Sequence, residues 1–305
     1  RITQFSLSQC GYKSSIHLNP NFINSNQTLI VIAGPTASGK THTAIDLALQ
    51  LDAEIINADS RQFYRMLDIG TAKPNSIERR SVPHHFIDIR NPDEYYSAGE
   101  FEAECISFLT DYFKRKSTAI LVGGSGLYIN AVIRGFDEIT KPKPEIREKW
   151  NQVFVENGLK ALQVALKQLD PAYSSIVDLR NPQRLIRALE VIESSGKPFS
   201  EQLTRPSKKR LFNTKAFFLN PPRDLLYNRI NERVDQMMHD GLLEEVQSLI
   251  PYKTENALQT LGYSELFQFL NGEISLESAT EKIKQHSRNY AKRQVTWFKK
   301  QPEFM

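Results

Sequence analysis

Residues 28–51 constrain the fold more than any other stretch. The apolar run Leu29-Ile30-Val31-Ile32-Ala33 enters Gly34-Pro35-Thr36-Ala37-Ser38-Gly39-Lys40-Thr41, and Ala44, Leu47, Ala48 and Leu51 then follow at helical spacing over 42–51. Strand, glycine-rich turn and helix in that order form a P-loop. Glycines let successive backbone N–H groups turn inward around phosphate oxygens, and the helix N-terminus adds partial positive charge. Lys40 adds a full charge, and the Thr41 hydroxyl is suited to Mg²⁺. The ligand implied is a di- or triphosphate, a class that includes nucleotides such as ATP. An α/β architecture follows, because the pattern repeats: short strands are expected at 54–57, 85–89 and 119–122, with helical periodicity through 101–113 between the last two. A parallel sheet would collect its ligands at the carboxyl ends of these strands.

Strand signals cease between about 134 and 213. Helical patterns occupy 146–155, 159–169 and 182–194, broken at Asn157-Gly158, Asp170-Pro171 and Gly196-Lys197-Pro198. This reads as an all-helical domain inserted into a core of 28–133 plus 214–305. The core resumes with a strand at 216–219, a long helix after Pro221-Pro222 interrupted at Gly241, and a last helix over 276–298. Residues 1–27 hold no Asp or Glu and show no period; a disordered extension is expected, with a transit peptide as the weaker reading.

Several classes fall away. The apolar runs are far shorter than the ~20 residues of a membrane span, and Cys10 and Cys105 offer no paired spacing for a disulfide framework or zinc cluster. The net charge of +4 hides a local bias: Lys197, Arg205, Lys208, Lys209, Arg210 and Lys215 face only Glu201 over 197–215. Such a run is either a solvated face or a set of phosphate contacts for a nucleic acid. Asp59, just after the second strand, could serve as Mg²⁺ ligand, general base or strand-end cap. The strand at 119–122 ends in glycine, where many ATPases carry a second Mg²⁺-binding acid, so ATP hydrolysis is disfavoured. His84-His85 could suggest a metal, but with no third spaced ligand a structural role is expected.

Taken together, residues 34–41 (GPTASGKT), 57–64, 66–74 (MLDIGTAKP), 83–88 (PHHFID), 121–128 (LVGGSGLY), 182–191 (PQRLIRALEV) and 291–297 (AKRQVTW) resemble the bacterial-type tRNA dimethylallyltransferases, or tRNA isopentenyltransferases, over about 28–300. The resemblance implies transfer of a dimethylallyl group from dimethylallyl diphosphate to N6 of the adenosine 3′ of a tRNA anticodon. It further implies a P-loop core with a helical insertion for tRNA, a Mg²⁺ cofactor with Thr41 as its protein ligand, a tRNA anticodon stem-loop partner, no membrane, a monomer and a cytoplasmic location. Asp59 matches the family's catalytic Asp, expected to take the N6 proton, with Lys40, Ser125 and Arg147 as further catalytic positions. Gly34 to Thr41 hold the diphosphate. Asp59, Ser60, Arg61, Gln62, Ser125, Arg147, Gln183, Arg184, Leu185, Ile186, Arg187, Leu258, Gln259, Thr260, Leu261, Gly262 and Tyr263 match tRNA-contacting segments. Ser125 stands where the family usually has Thr; the hydroxyl is kept and a methyl lost. Residues 182–191 are also a good amphipathic helix with Leu185, Ala188, Leu189 and Ile192 as its core. An adenylate isopentenyltransferase using free nucleotide, a P-loop small-molecule kinase and a non-catalytic RNA-binding protein remain as alternatives.

Overall fold

The structure is a computed structural model that describes residues 3–4, 17–18, 27–137, 139, 143–203 and 208–304. Near the N-terminus, β1 (Thr3–Gln4) pairs antiparallel with β2 (His17–Leu18). The expectation for 1–27 otherwise lies outside the described residues, as do Cys10 and Arg205.

The remaining strands are β3 (Thr28–Ala33), β4 (Glu54–Asn57), β5 (His84–His85), β6 (Thr118–Gly123) and β7 (Asn213–Phe218). They form one parallel sheet in the order β5-β4-β6-β3-β7. Every residue of β3 and β6 is buried, as both faces of a parallel sheet require. The period-2 alternation divides β3 between two cores: Leu29, Val31 and Ala33 on one face, Ile30 and Ile32 on the other.

Helix α1 (Lys40–Leu51) packs Ala44, Leu47 and Ala48 onto the second face. A short α2 (Ser76–Ser81) opens with a capping box from Asn75 and Glu78, and α3 (Ala98–Tyr112) with one from Ser97 and Glu100. Helix α4 (Gly126–Arg134) follows β6. The third strand is only two residues long, against the 85–89 expected. Phe86 (φ 61°) and Asp88 (φ 57°) both adopt left-handed backbone, which ends pairing at once.

Contacts divide the chain into a sheet unit, 1–133 with 210–305, and a helical unit, 134–209. The sheet unit resumes at Arg210, where the sequence suggested 214. The Arg210 guanidinium is anchored in the sheet unit, donating to Glu102 (2.9 Å) and the Ala131 carbonyl (2.6 Å). Arg210 is therefore an interior ion pair and not part of a solvated basic face.

The helical unit holds α5 (Pro144–Leu169), α6 (Pro171–Ser174), α7 (Pro182–Ser195) and α8 (Phe199–Gln202). Proline at the first turn of α5, α6 and α7 sits where no intrahelical N–H is needed. Gly158 (φ 70°, ψ −175°) breaks α5 at the predicted interruption. Leu162 and Leu166 of α5 pack on Leu185, Ile186, Ala188 and Leu189 of α7 as a separate core.

The sheet unit is completed by α9 (Arg223–His239), α10 (Leu242–Ser248), α11 (Tyr263–Leu270) and α12 (Leu276–Phe298), the last with the predicted limits.

Candidate active site

The loop after β3 is built for an anion. Helix α1 starts at Lys40 behind Gly39 (φ 86°), with no side chain capping it, so its first N–H groups remain available to a ligand. Ser38 is buried, and its Oγ has no hydrogen-bond partner among the described residues. It lines a cavity of about 190 Å³ together with Thr36 through Thr41. An orphaned hydroxyl inside such a cradle is a donor waiting for an oxygen atom. The Lys40 ammonium donates to the Pro35 carbonyl at 3.3 Å. Burial pushes its pKa down to about 8, with Asp59 opposing that shift and Arg233 adding to it.

Asp59 reaches this cradle because β6 lets β4 come close. The Ala58 N–H donates to the Val122 carbonyl at 2.8 Å, and a Cβ on Gly123 would collide with the Ala58 carbonyl. One Asp59 oxygen accepts the Arg61 N–H at 3.0 Å, so the residue does cap its turn. It also lines both the smaller cavity and an adjoining one of about 520 Å³, each shared with Lys40. Ser125 Oγ accepts the Ser60 N–H at 3.0 Å and lies 3.2 Å from the Ser60 hydroxyl, which ties the loop after β6 to the loop after β4. Arg61 donates to the Asn256 and Ala257 carbonyls.

Three further side chains complete the site, and the motif reading assigned none of them a role. Arg233 of α9 lines both cavities and donates to the Thr36 hydroxyl at 3.4 Å; burial lowers its pKa. Gln294 of α12 accepts the Thr36 N–H and donates to the Gly124 carbonyl, each at 2.9 Å, joining two loops through one buried amide. Tyr290 lines the larger cavity, and its hydroxyl pKa is pushed up to about 12 by burial and then by Asp59. The available signal was an arginine set on the apolar stripe of α9 among Ile230, Val234 and Met237.

The segment 258–263 divides. Gln259, Thr260, Leu261 and Gly262 line the larger cavity. Leu258 and Tyr263 are fully buried, so within this segment their side chains pack inward. The Tyr263 ring lies where a Cβ on Gly70 would fall, and its hydroxyl donates to Glu245 at 2.6 Å. Glu245 also accepts the N–H groups of Asp68, Ile69 and Gly70. Gln62 is likewise buried, donating to the Thr71 and Ala72 carbonyls. These residues hold the 68–72 loop, part of which walls the larger cavity.

In the helical unit, Gln183 and Arg184 are exposed and Arg147 and Arg187 partly so. Leu185 and Ile186 are fully buried in its core, Leu185 as the amphipathic period of 182–191 predicts.

No group of three or more His, Cys, Asp or Glu able to hold a metal occurs among the described residues. His84 Nδ1 bonds the Val82 carbonyl at 2.8 Å, and His85 pairs with Glu54 at 2.6 Å. No helix among the described residues is long and apolar enough to cross a membrane.

A phosphate cradle and a carboxylate sharing one cavity at the carboxyl ends of a parallel sheet place the chain in the class of P-loop proteins that bind a di- or triphosphate. The family model "IPP transferase" matches residues 62–301. The tRNA dimethylallyltransferase of Christiangramia forsetii is 47% identical over 275 residues, covering 90% of this chain and 91% of that protein. That of Flavobacterium psychrophilum is 46% identical over 278 residues, covering 89% and 91%. Among solved structures, the tRNA isopentenylpyrophosphate transferase of Bacillus halodurans superposes with a TM-score of 0.66 at 37% identity, covering 92% of this chain and 89% of its own. A eukaryotic dimethylallyltransferase acting on tRNA superposes with a TM-score of 0.78 at 29% identity, covering 90% and 70%. The chain belongs to the tRNA dimethylallyltransferase family.

Proposed function

We infer that the protein transfers a dimethylallyl group from dimethylallyl diphosphate to N6 of the adenosine 3′ of the anticodon in tRNA. The observation that carries this is the placement of Asp59 on the same cavities as the phosphate cradle and Lys40. An adenine amino group is a poor nucleophile because its lone pair is delocalised into the ring; a carboxylate that accepts its proton relieves this. The N6–C bond forms as the C–O bond to diphosphate breaks, and the N6 proton passes to Asp59. Negative charge then grows on the departing diphosphate. Lys40, Arg233, the loop N–H groups and the Ser38 hydroxyl are preorganised toward it in a site where burial strengthens each interaction. The P-loop thus holds a leaving group, and no phosphoryl group moves.

The residues present suit a Mg²⁺ ion. Thr41 offers one hydroxyl in the smaller cavity, and this ion prefers few protein ligands completed by water and substrate phosphate oxygens. When bound it would neutralise diphosphate charge.

The names of the relatives favour tRNA over free AMP or a kinase substrate. The test is to incubate the protein with Mg²⁺, labelled dimethylallyl diphosphate and either AMP or an unmodified tRNA bearing adenosine 3′ of its anticodon. Label is expected in tRNA; label in AMP and not in tRNA would overturn the reading.

A further inference from the structure

Glu190 is an acidic residue fully buried in the helical unit, and it lies outside the cavities described above. Its carboxylate accepts from Arg147 Nη1 at 3.2 Å through both oxygens and from Arg187 Nη1 at 2.8 Å. Arg147 also donates through Nη2 to Gln183 at 3.3 Å. The acid therefore links Arg147 of α5 to Arg187, one turn away on its own helix α7, and Arg147 in turn holds Gln183. The Arg147 and Arg187 side chains are 38% and 42% exposed while Glu190 is 0%. The acid is hidden and the bases are presented.

We propose that Glu190 is a positioning residue that fixes Arg147 and Arg187 as a rigid pair for the phosphate and base groups of the anticodon stem-loop. This rests on the tRNA reading above. Arginine's planar fork recognises oxygen pairs well only when its orientation is set, because ordering a long side chain costs conformational freedom. A buried carboxylate meets that cost at folding, before RNA arrives. It also uses donors of Arg147 and Arg187 that face inward, leaving the outward ones to the ligand.

The proposal makes an unusual sign prediction. Charge counting says that removing a carboxylate raises the positive charge of this face and tightens RNA binding. Positioning says that the cognate complex weakens.

The experiment uses the full-length protein and its prenyl transfer to tRNA, with E190Q and, as a control, E193Q. Glu193 also pairs α7 with α5, at 2.7 Å to Lys149 and 2.9 Å to Trp150, but does not touch the arginine pair. E190Q is expected to raise the KM for tRNA about 10- to 100-fold, the worth of one charge-assisted hydrogen bond. The rise in the KM for tRNA should far exceed any change in the KM for dimethylallyl diphosphate, and E193Q should behave as wild type. An unchanged or lower tRNA KM in E190Q, or an equal rise in E193Q, would overturn the proposal. If E190Q does not fold, R147K decides: it keeps the charge but loses the fork, so a similar rise supports the proposal and an unchanged KM refutes it. Wild-type protein that fails to prenylate tRNA would refute the functional reading itself, a different result from active wild type with unaffected variants.

Discussion

Asp59 performs two tasks with one carboxylate, capping its own turn through the Arg61 N–H while facing the cavity that Lys40 shares. Asp59→Asn keeps the shape and removes the base, so transfer should fall about a hundred- to ten-thousand-fold while tRNA binding, measured by filter retention, persists. Turnover at the wild-type rate would remove Asp59 from its role. Lys40 makes a pH prediction. Its pKa in the folded protein, about 8, lies below the 10.5 of an ordinary lysine. The unfolded chain therefore holds more protons between these values, and the Lys40 contribution to stability rises with pH across that window, its penalty being complete below about 8. Bound diphosphate favours the charged ammonium. Above pH 8, pyrophosphate binding should take up a proton, visible by calorimetry in buffers of different ionisation enthalpy. Lys40→Met should abolish the uptake and weaken binding.

The elements of the site were unequally legible. The loop after β3 and Asp59 after β4 were readable because glycine spacing and strand-end position are local signals. Arg233, Tyr290 and Gln294 were not, because each sits on a long helix whose surface pattern looks ordinary until packing turns it toward the cradle. The basic run over 197–215 misled in part, since sequence could not tell that Arg210 finds Glu102 inside the sheet unit. Leu185, Ile186, Leu258 and Tyr263 stand within segments that match tRNA contacts and are themselves buried; of these only Leu185 was readable as core, from the amphipathic period of 182–191. The Gln294 bridge yields a test at this scale. Gln294→Leu leaves the Thr36 N–H and Gly124 carbonyl without their partner and should cost about 1–3 kcal/mol. Thermal unfolding should report that loss, and the KM for dimethylallyl diphosphate should rise as the cradle loosens; a KM at the wild-type value would mean that the bridge does not shape the cradle.

At the scale of the molecule, the sheet unit holds the phosphate cradle with Asp59 and the helical unit carries its own core. Leu162, Leu166, Leu185 and Leu189 are each fully buried there. Leu189→Ala should destabilise that unit by about 2–5 kcal/mol. Hydrogen exchange should then show faster exchange across 144–195 with protection of β3 and β6 unchanged; equal loss in both would contradict separate cores. The central claim is that a P-loop here grips the leaving group of an alkyl transfer. The most direct measurement is the product balance of a reaction containing dimethylallyl diphosphate, unmodified tRNA and Mg²⁺. The account predicts one inorganic pyrophosphate released for each prenylated adenosine formed beside the anticodon; phosphorylated tRNA, or pyrophosphate release with no prenylated nucleoside, would contradict it.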